Sequence, residues 1–116
     1  MDYIFDLISQ PFSTIPHHFD TSGVERYVAK GSPYHIAIHE VDVEDNADSY
    51  VDMHEHDFDE INIILGESLV YEFCIDLQKT IVQSPKVFVI PKNVKHSQKV
   101  LRGKGTFICV YMKKKE

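Results

Sequence analysis

Residues 54 to 60 read His-Glu-His-Asp-Phe-Asp-Glu, and residues 91 to 96 read Pro-Lys-Asn-Val-Lys-His. These two stretches hold the side chains best suited to chemistry. His54 and His56 lie two positions apart. On a β-strand such residues project to one face with Cα atoms about 6.5–7 Å apart, a spacing over which two imidazoles converge on one ion. Glu60, on the next strand, can close on the same point, and His96 adds a third nitrogen. Three imidazoles and a carboxylate suit one divalent transition metal ion, with one or two positions of an octahedral ion open to water or substrate. Mixed nitrogen and oxygen ligation fits Fe, Mn, Ni, Co, Cu or Zn and does not choose among them.

Such a site needs strands of matching parity, and the chain reads as strands from Gly23 onward. Segments 24–30, 33–41, 49–56, 60–65, 69–77, 79–83, 86–91, 94–101 and 106–112 are short and rich in β-branched and aromatic residues. Gly, Pro, Asp, Asn or Ser separates them. Many short strands at close spacing predict an all-β sandwich or barrel. Alternation puts Tyr50, Asp52, His54 and His56 on one side, with Val51 and Met53 opposite. Glu60, Asn62 and Ile64 share a side against Ile61, Ile63 and Leu65. Val94, His96, Gln98 and Val100 alternate with a basic, solvated side of Lys95, Ser97 and Lys99. The pocket candidates are therefore Tyr50, Asp52, Asn62 and Gln98. If the polar sides face inward, apolar outward faces remain that an N-terminal arm or a second subunit must cover, and a homodimer using both is expected.

The first stretch resembles motif one of the cupin superfamily, H-x-H-x(3,4)-E followed by Gly, and the second resembles motif two, P-x-G-x-x-H. The resemblance implies a cupin-type double-stranded β-helix, a small RmlC-like jelly-roll barrel, with metal ligands at His54, His56, Glu60 and His96. Asp48 stands where motif one usually begins with Gly, Gly66 comes one residue early, and Val100 sits where Asn is frequent. Asn93 replaces the turn glycine of motif two, and Asn tolerates the left-handed conformation that such a turn requires. The reactions implied are isomerisation or epimerisation, decarboxylation, lyase or cyclase chemistry, or dioxygenation of a small oxygen-rich substrate such as a sugar derivative, keto acid or polyketide-like metabolite. Glu60 is then either the fourth ligand or a catalytic base. The alternative is a barrel that binds metal or a small ligand without turnover, or a structural barrel.

At 116 residues and 43% apolar composition, one domain with one core is expected: an arm over residues 1–22 and a barrel over 23–116. Within the arm, the opening residues suggest a short helical turn after Asp2 ended by Pro11. The net charge of −6 argues against a nucleic-acid partner. No signal-like or membrane-spanning stretch appears, so a cytoplasmic protein without a membrane partner is expected. The stretch before motif one is strand-like and leaves no helix-turn-helix. Ten acidic residues without a basic one lie between Glu40 and Glu60, and nine of the twelve basic residues follow from Lys86. They read as complementary solvated surfaces. The acidic run near Asp45 lacks a calcium loop's glycine, having Ala47 there, and its terminal carboxylate, having Met53. Cys74 and Cys109 read as separate buried thiols. His17 and His18 read as exposed arm residues, and His35 and His39 as structural or rim residues.

Overall fold

The computed structural model describes residues 3–16, 18–44 and 51–113. Tyr50, His17, Asp48 and Ala47 lie outside the described residues. The described strands are β1 (Leu7–Ser9), β2 (Val24–Ala29), β3 (Tyr34–Val43), β4 (Val51–His54), β5 (Glu60–Leu65), β6 (Val70–Ile75), β7 (Gln78–Gln83), β8 (Lys86–Ile90) and β9 (His96–Met112). Every pairing is antiparallel. One sheet runs β1-β2-β3-β9-β5-β8, and the other is β4-β9-β6-β7. Among the described residues no helix is long and apolar enough to cross a membrane.

β9 joins the two sheets. Its first part, His96 to Arg102, pairs with β4 and β6, and its second, from Gly103, pairs with β3 and β5. The sequence reading has two strands here, with a break after Leu101. The break is a bend without an interruption, because glycines stand where the chain turns between sheets. Gly103 has φ +110, and a Cβ there would collide with the Ser68 carbonyl oxygen, while one at Gly105 would meet that of Leu65. Glycine thus allows the β5–β6 turn to lie directly on the corner of β9.

The arm also differs from expectation. Residues 7–9 add a strand to the edge of β2, and the helical turn follows Pro11, over Phe12–Thr14. Proline suits the entry to a helical turn, since its missing N–H would lack a partner there anyway. The turn drives Phe12 into the barrel, where it is 2% exposed.

Inside, the two ends of the barrel differ. Phe12, Val24, Val41, Val43, Ile64, Leu69, Tyr71, Phe73, Val100 and Phe107 form the apolar core. Continuing along the same inward parity, β5 changes from Ile64 to Asn62 and Glu60, β9 from Val100 to Gln98 and His96, and β3 from Val41 to His39. The apolar end supplies the stability that a polar end does not. Phe73→Ala is therefore expected to lower unfolding free energy by about 3–5 kcal/mol, whereas Ile81→Thr, at a site 65% exposed, should stay within about 0.5 kcal/mol. Urea titration checks both, and similar losses would show that the core is misplaced.

Candidate metal centre

The polar end encloses a cavity of about 390 Å³ whose walls include His54, His56, Glu60, Asn62, His96 and Gln98. Two backbone contacts bring its distant segments together. The Asn93 N–H donates to the His56 carbonyl at 2.6 Å, and the Lys92 N–H donates to Asp59 Oδ1 at 3.0 Å. Asn93 sits at φ 64, the left-handed conformation that its turn requires. In the adjoining ladder His54 is the direct register partner of His96.

His54, His56 and His96 each offer a nitrogen, and these atoms lie within 4.8 Å of one another. The ring tautomers follow from their other contacts. His54 Nδ1 lies 2.7 Å from the Asp52 carbonyl, and His96 Nδ1 lies 3.0 Å from that of Val94. A carbonyl only accepts, so both Nδ1 atoms carry the proton and donate it. The Nε2 lone pairs of the neutral rings are left for a cation, which is the arrangement metal-binding histidines use.

Glu60 stands beside this triangle. Its Oε2 is 3.2 Å from His96 Nε2 and its Oε1 is 4.0 Å from His56 Nε2. The short contact is not aligned as a hydrogen bond, so the buried His96 Nε2 has no hydrogen-bond partner. A carboxylate oxygen and an imidazole lone pair face each other across a space that a cation would satisfy. The donor chemistry and this orphaned nitrogen fit a divalent metal. Asn62 Nδ2 donates to Glu60 Oε2 at 3.2 Å, and the Cys109 thiol donates to Oε1 at 3.1 Å.

Electrostatics agree with these roles. Burial alone would raise the Glu60 pKa, but the adjacent His96 ring and the hydrogen bonds from Cys109 and Asn62 outweigh it and hold the carboxyl at about 2. Burial lowers His96, yet the Glu60 carboxylate and the Val94 carbonyl reverse this and leave it raised. Burial, together with the Glu60 charge, pushes the Cys109 thiol well up. It stays protonated as a donor, which removes it as a nucleophile.

Several placements differ from the sequence reading. Asp52 shares the parity of the histidines, but its side chain is exposed and does not line the cavity. The β4–β9 register shifts between Val51 and His54, and such an irregularity breaks strict alternation. Only the Asp52 carbonyl serves the site. His18 is half-buried rather than exposed. It lines the cavity with its ring 5.8 Å from that of His54. His35 and His39 also line the wall, His39 edge-on to Phe12 and stacked on Phe107. Cys74 and Cys109 are separate thiols.

Sequence reasoning missed Arg26, Cys109 and Tyr111, all in the cavity wall. Parity held a signal for each. Arg26 shares the parity of Val24 and Val28 on β2, and Cys109 and Tyr111 share that of Phe107 on β9. Phe58, between the histidine pair and Glu60, stacks on both His56 and Tyr111, at 4.6 and 4.2 Å between ring centroids, and so fixes the His56 ring.

The buried histidines make stability depend on pH. Burial holds His35 and His54 at about 4 against an ordinary 6.5. Between those values the unfolded chain binds more protons, so stability drops as pH falls. His96, raised, acts in the opposite sense, and Glu60 adds a further loss from about 4.5 toward 2. The Tm of metal-free protein should fall from pH 7 to pH 4.5 and fall less steeply in His35→Gln, as scanning calorimetry would show. A flat profile would contradict neutral buried histidines.

No protein-family model matches the chain, and no curated protein matches it. Solved structures do. KdgF from Halomonas sp. shares 17% identity over 81% of this chain and 83% of its own, with TM-score 0.61. An RmlC-like cupin from Shewanella frigidimarina shares 12% identity over 100% of this chain and 90% of its own, with TM-score 0.61. A cupin superfamily protein from Desulfitobacterium hafniense shares 18% identity over 80% of each chain, with TM-score 0.62. At such identities the likeness is one of fold: this chain shares the small antiparallel β-barrel of these structures, two of them cupins, and carries a histidine cluster at its polar end.

Proposed function

We propose that this chain is a metal-dependent cupin enzyme acting on a small oxygen-rich metabolite, with His54, His56, His96 and Glu60 holding one divalent transition metal ion. The observation that carries this reading is the convergence of three imidazoles, two with Nδ1 tied to a carbonyl, on the wall of a cavity that also holds an ionised glutamate. A bound ion would polarise a substrate carbonyl or hydroxyl, or activate dioxygen if it is iron. The chain's own residues account for the rest. Glu60, ionised at neutral pH, serves as the fourth ligand or takes a proton from the substrate. Asn62 and Cys109 orient it through their hydrogen bonds. Asn62 and Gln98 offer amide groups for substrate oxygens, and Phe58 and Tyr111 form an aromatic wall beside His56.

The wild-type chain should purify with, or take up, about one transition metal ion, and single His54→Ala and His96→Ala variants should lose most of it. Elemental analysis decides, and equally low metal in all three removes the site. Oxygen uptake after iron loading, compared with anaerobic turnover of sugar acids and keto acids, separates dioxygenation from redox-neutral chemistry. Metal binding without any turnover would support the alternative of a binding barrel.

The reading includes a homodimer. Ile61 and Leu65 on β5 and Val87 and Val89 on the edge strand β8 present apolar side chains at 41–64% exposure. Ile61 is the register partner of Val89. This continuous face supports a second copy as its cover. Light scattering should give a dimer for wild type and a monomer for Val87→Lys/Val89→Lys, whereas a monomeric wild type would end the assembly.

A further inference from the structure

Among the described residues Arg26 is the only Lys or Arg that is buried, at 6% exposure, and it lines the same cavity as the histidines. Its place follows from β2, where Arg26 continues the inward parity of Val24 and pairs in register with His39. A guanidinium has five N–H donors. Nη1 donates to Gln10 Oε1, and Nη2 lies 3.5 Å from His35 Nε2, which is free to accept because burial keeps that ring neutral at ordinary pH. The face of Phe12 lies 5.9 Å from the guanidinium carbon. Nε, also buried, has no partner.

None of these contacts is an anion. Glu60 faces His96 and receives Asn62 and Cys109, and no carboxylate among the described residues lies within ion-pair distance of Arg26. A buried cation without a counterion is costly, and proteins keep such groups paired. Burial lowers the guanidinium pKa, the sign expected of a cation with no anion beside it. The cost is explained if the counterion arrives with the ligand.

We propose that Arg26 anchors a carboxylate of the substrate, so that the site takes a small organic acid whose carboxylate meets the guanidinium and whose second oxygen faces the imidazole cluster. The place of that second oxygen rests on the metal-dependent reading above, whereas the carboxylate anchor does not. Gln10 and His35 orient the guanidinium and leave Nε–H and a neighbouring Nη–H as the fork that matches a carboxylate. One guanidinium answers one negative charge, the charge that a carboxylate carries, and its fork matches the two oxygens of a carboxylate. The cavity, about 390 Å³, lies at the small end of ligand pockets.

The test is NMR titration of the Arg26 Nε–H signal with pyruvate, lactate and malonate, with pyruvamide and inorganic phosphate as controls. It is run on metal-free and on metal-loaded protein. At least one acid should shift the signal, pyruvamide should not, and Arg26→Gln should weaken binding of that acid about tenfold or more. Metal content of Arg26→Gln should match wild type, and its Tm should hold or rise, since an unpaired buried cation is gone. No shift by any of the three acids, equal binding of pyruvamide, or tighter binding of phosphate overturns the proposal. So does a large loss of Tm in Arg26→Gln, which would make the arginine structural. Carboxylate binding in a chain that takes up no metal sustains the anchor and defeats the metal reading, and metal uptake without carboxylate binding does the reverse.

Discussion

The polar end of this barrel depends on one junction, the seating of the turn before β9 on the turn that follows β4. Two backbone N–H groups of the later turn, from Lys92 and Asn93, are received by Asp59 and by the His56 carbonyl. Beside them His54 and His96 face each other in register. Without that junction the histidines would belong to separate loops. With it, a local device repeats on both strands, in which each ring donates Nδ1–H to the carbonyl two residues earlier, Asp52 for His54 and Val94 for His96. The backbone thereby sets the tautomers, and the Nε2 atoms are left directed inward.

A small barrel that buries a carboxylate, a guanidinium and several imidazoles at one end must gain its stability at the other. Tyr71, Phe73, Phe107, Ile64, Leu69 and Val100 are nearly or wholly removed from solvent, and each contributes the large burial energy of an apolar side chain. The polar end then tolerates groups whose contacts are incomplete within the chain, the His96 Nε2 and the Arg26 Nε. Incomplete satisfaction of this kind concentrates where a ligand completes it.

The N-terminal segment belongs to this arrangement. Phe12 closes the core and touches His39, Gln10 receives the Arg26 guanidinium, and His18 approaches His54. A stretch with no regular pattern in the sequence thus forms part of the cavity wall. Its contribution comes from single side chains placed by a three-residue edge strand and one 3-10 turn.

The sequence by itself determined the strands from β2 through β8, because alternation of apolar and polar residues is a local property that survives in any all-β packing. It also determined the inward parity of Glu60, Asn62, His96 and Gln98, and the left-handed turn at Asn93. Tertiary structure alone decided what alternation does not encode. The glycine corner turned two expected strands into one β9, a register shift sent the Asp52 side chain outward, and the arm carried His18 inward. Pairing between distant segments brought Cys109 to Glu60 and Arg26 to His35. Each of these depends on which strand lies beside which, and that is set by the packing of the whole barrel, beyond the reach of any single segment's pattern.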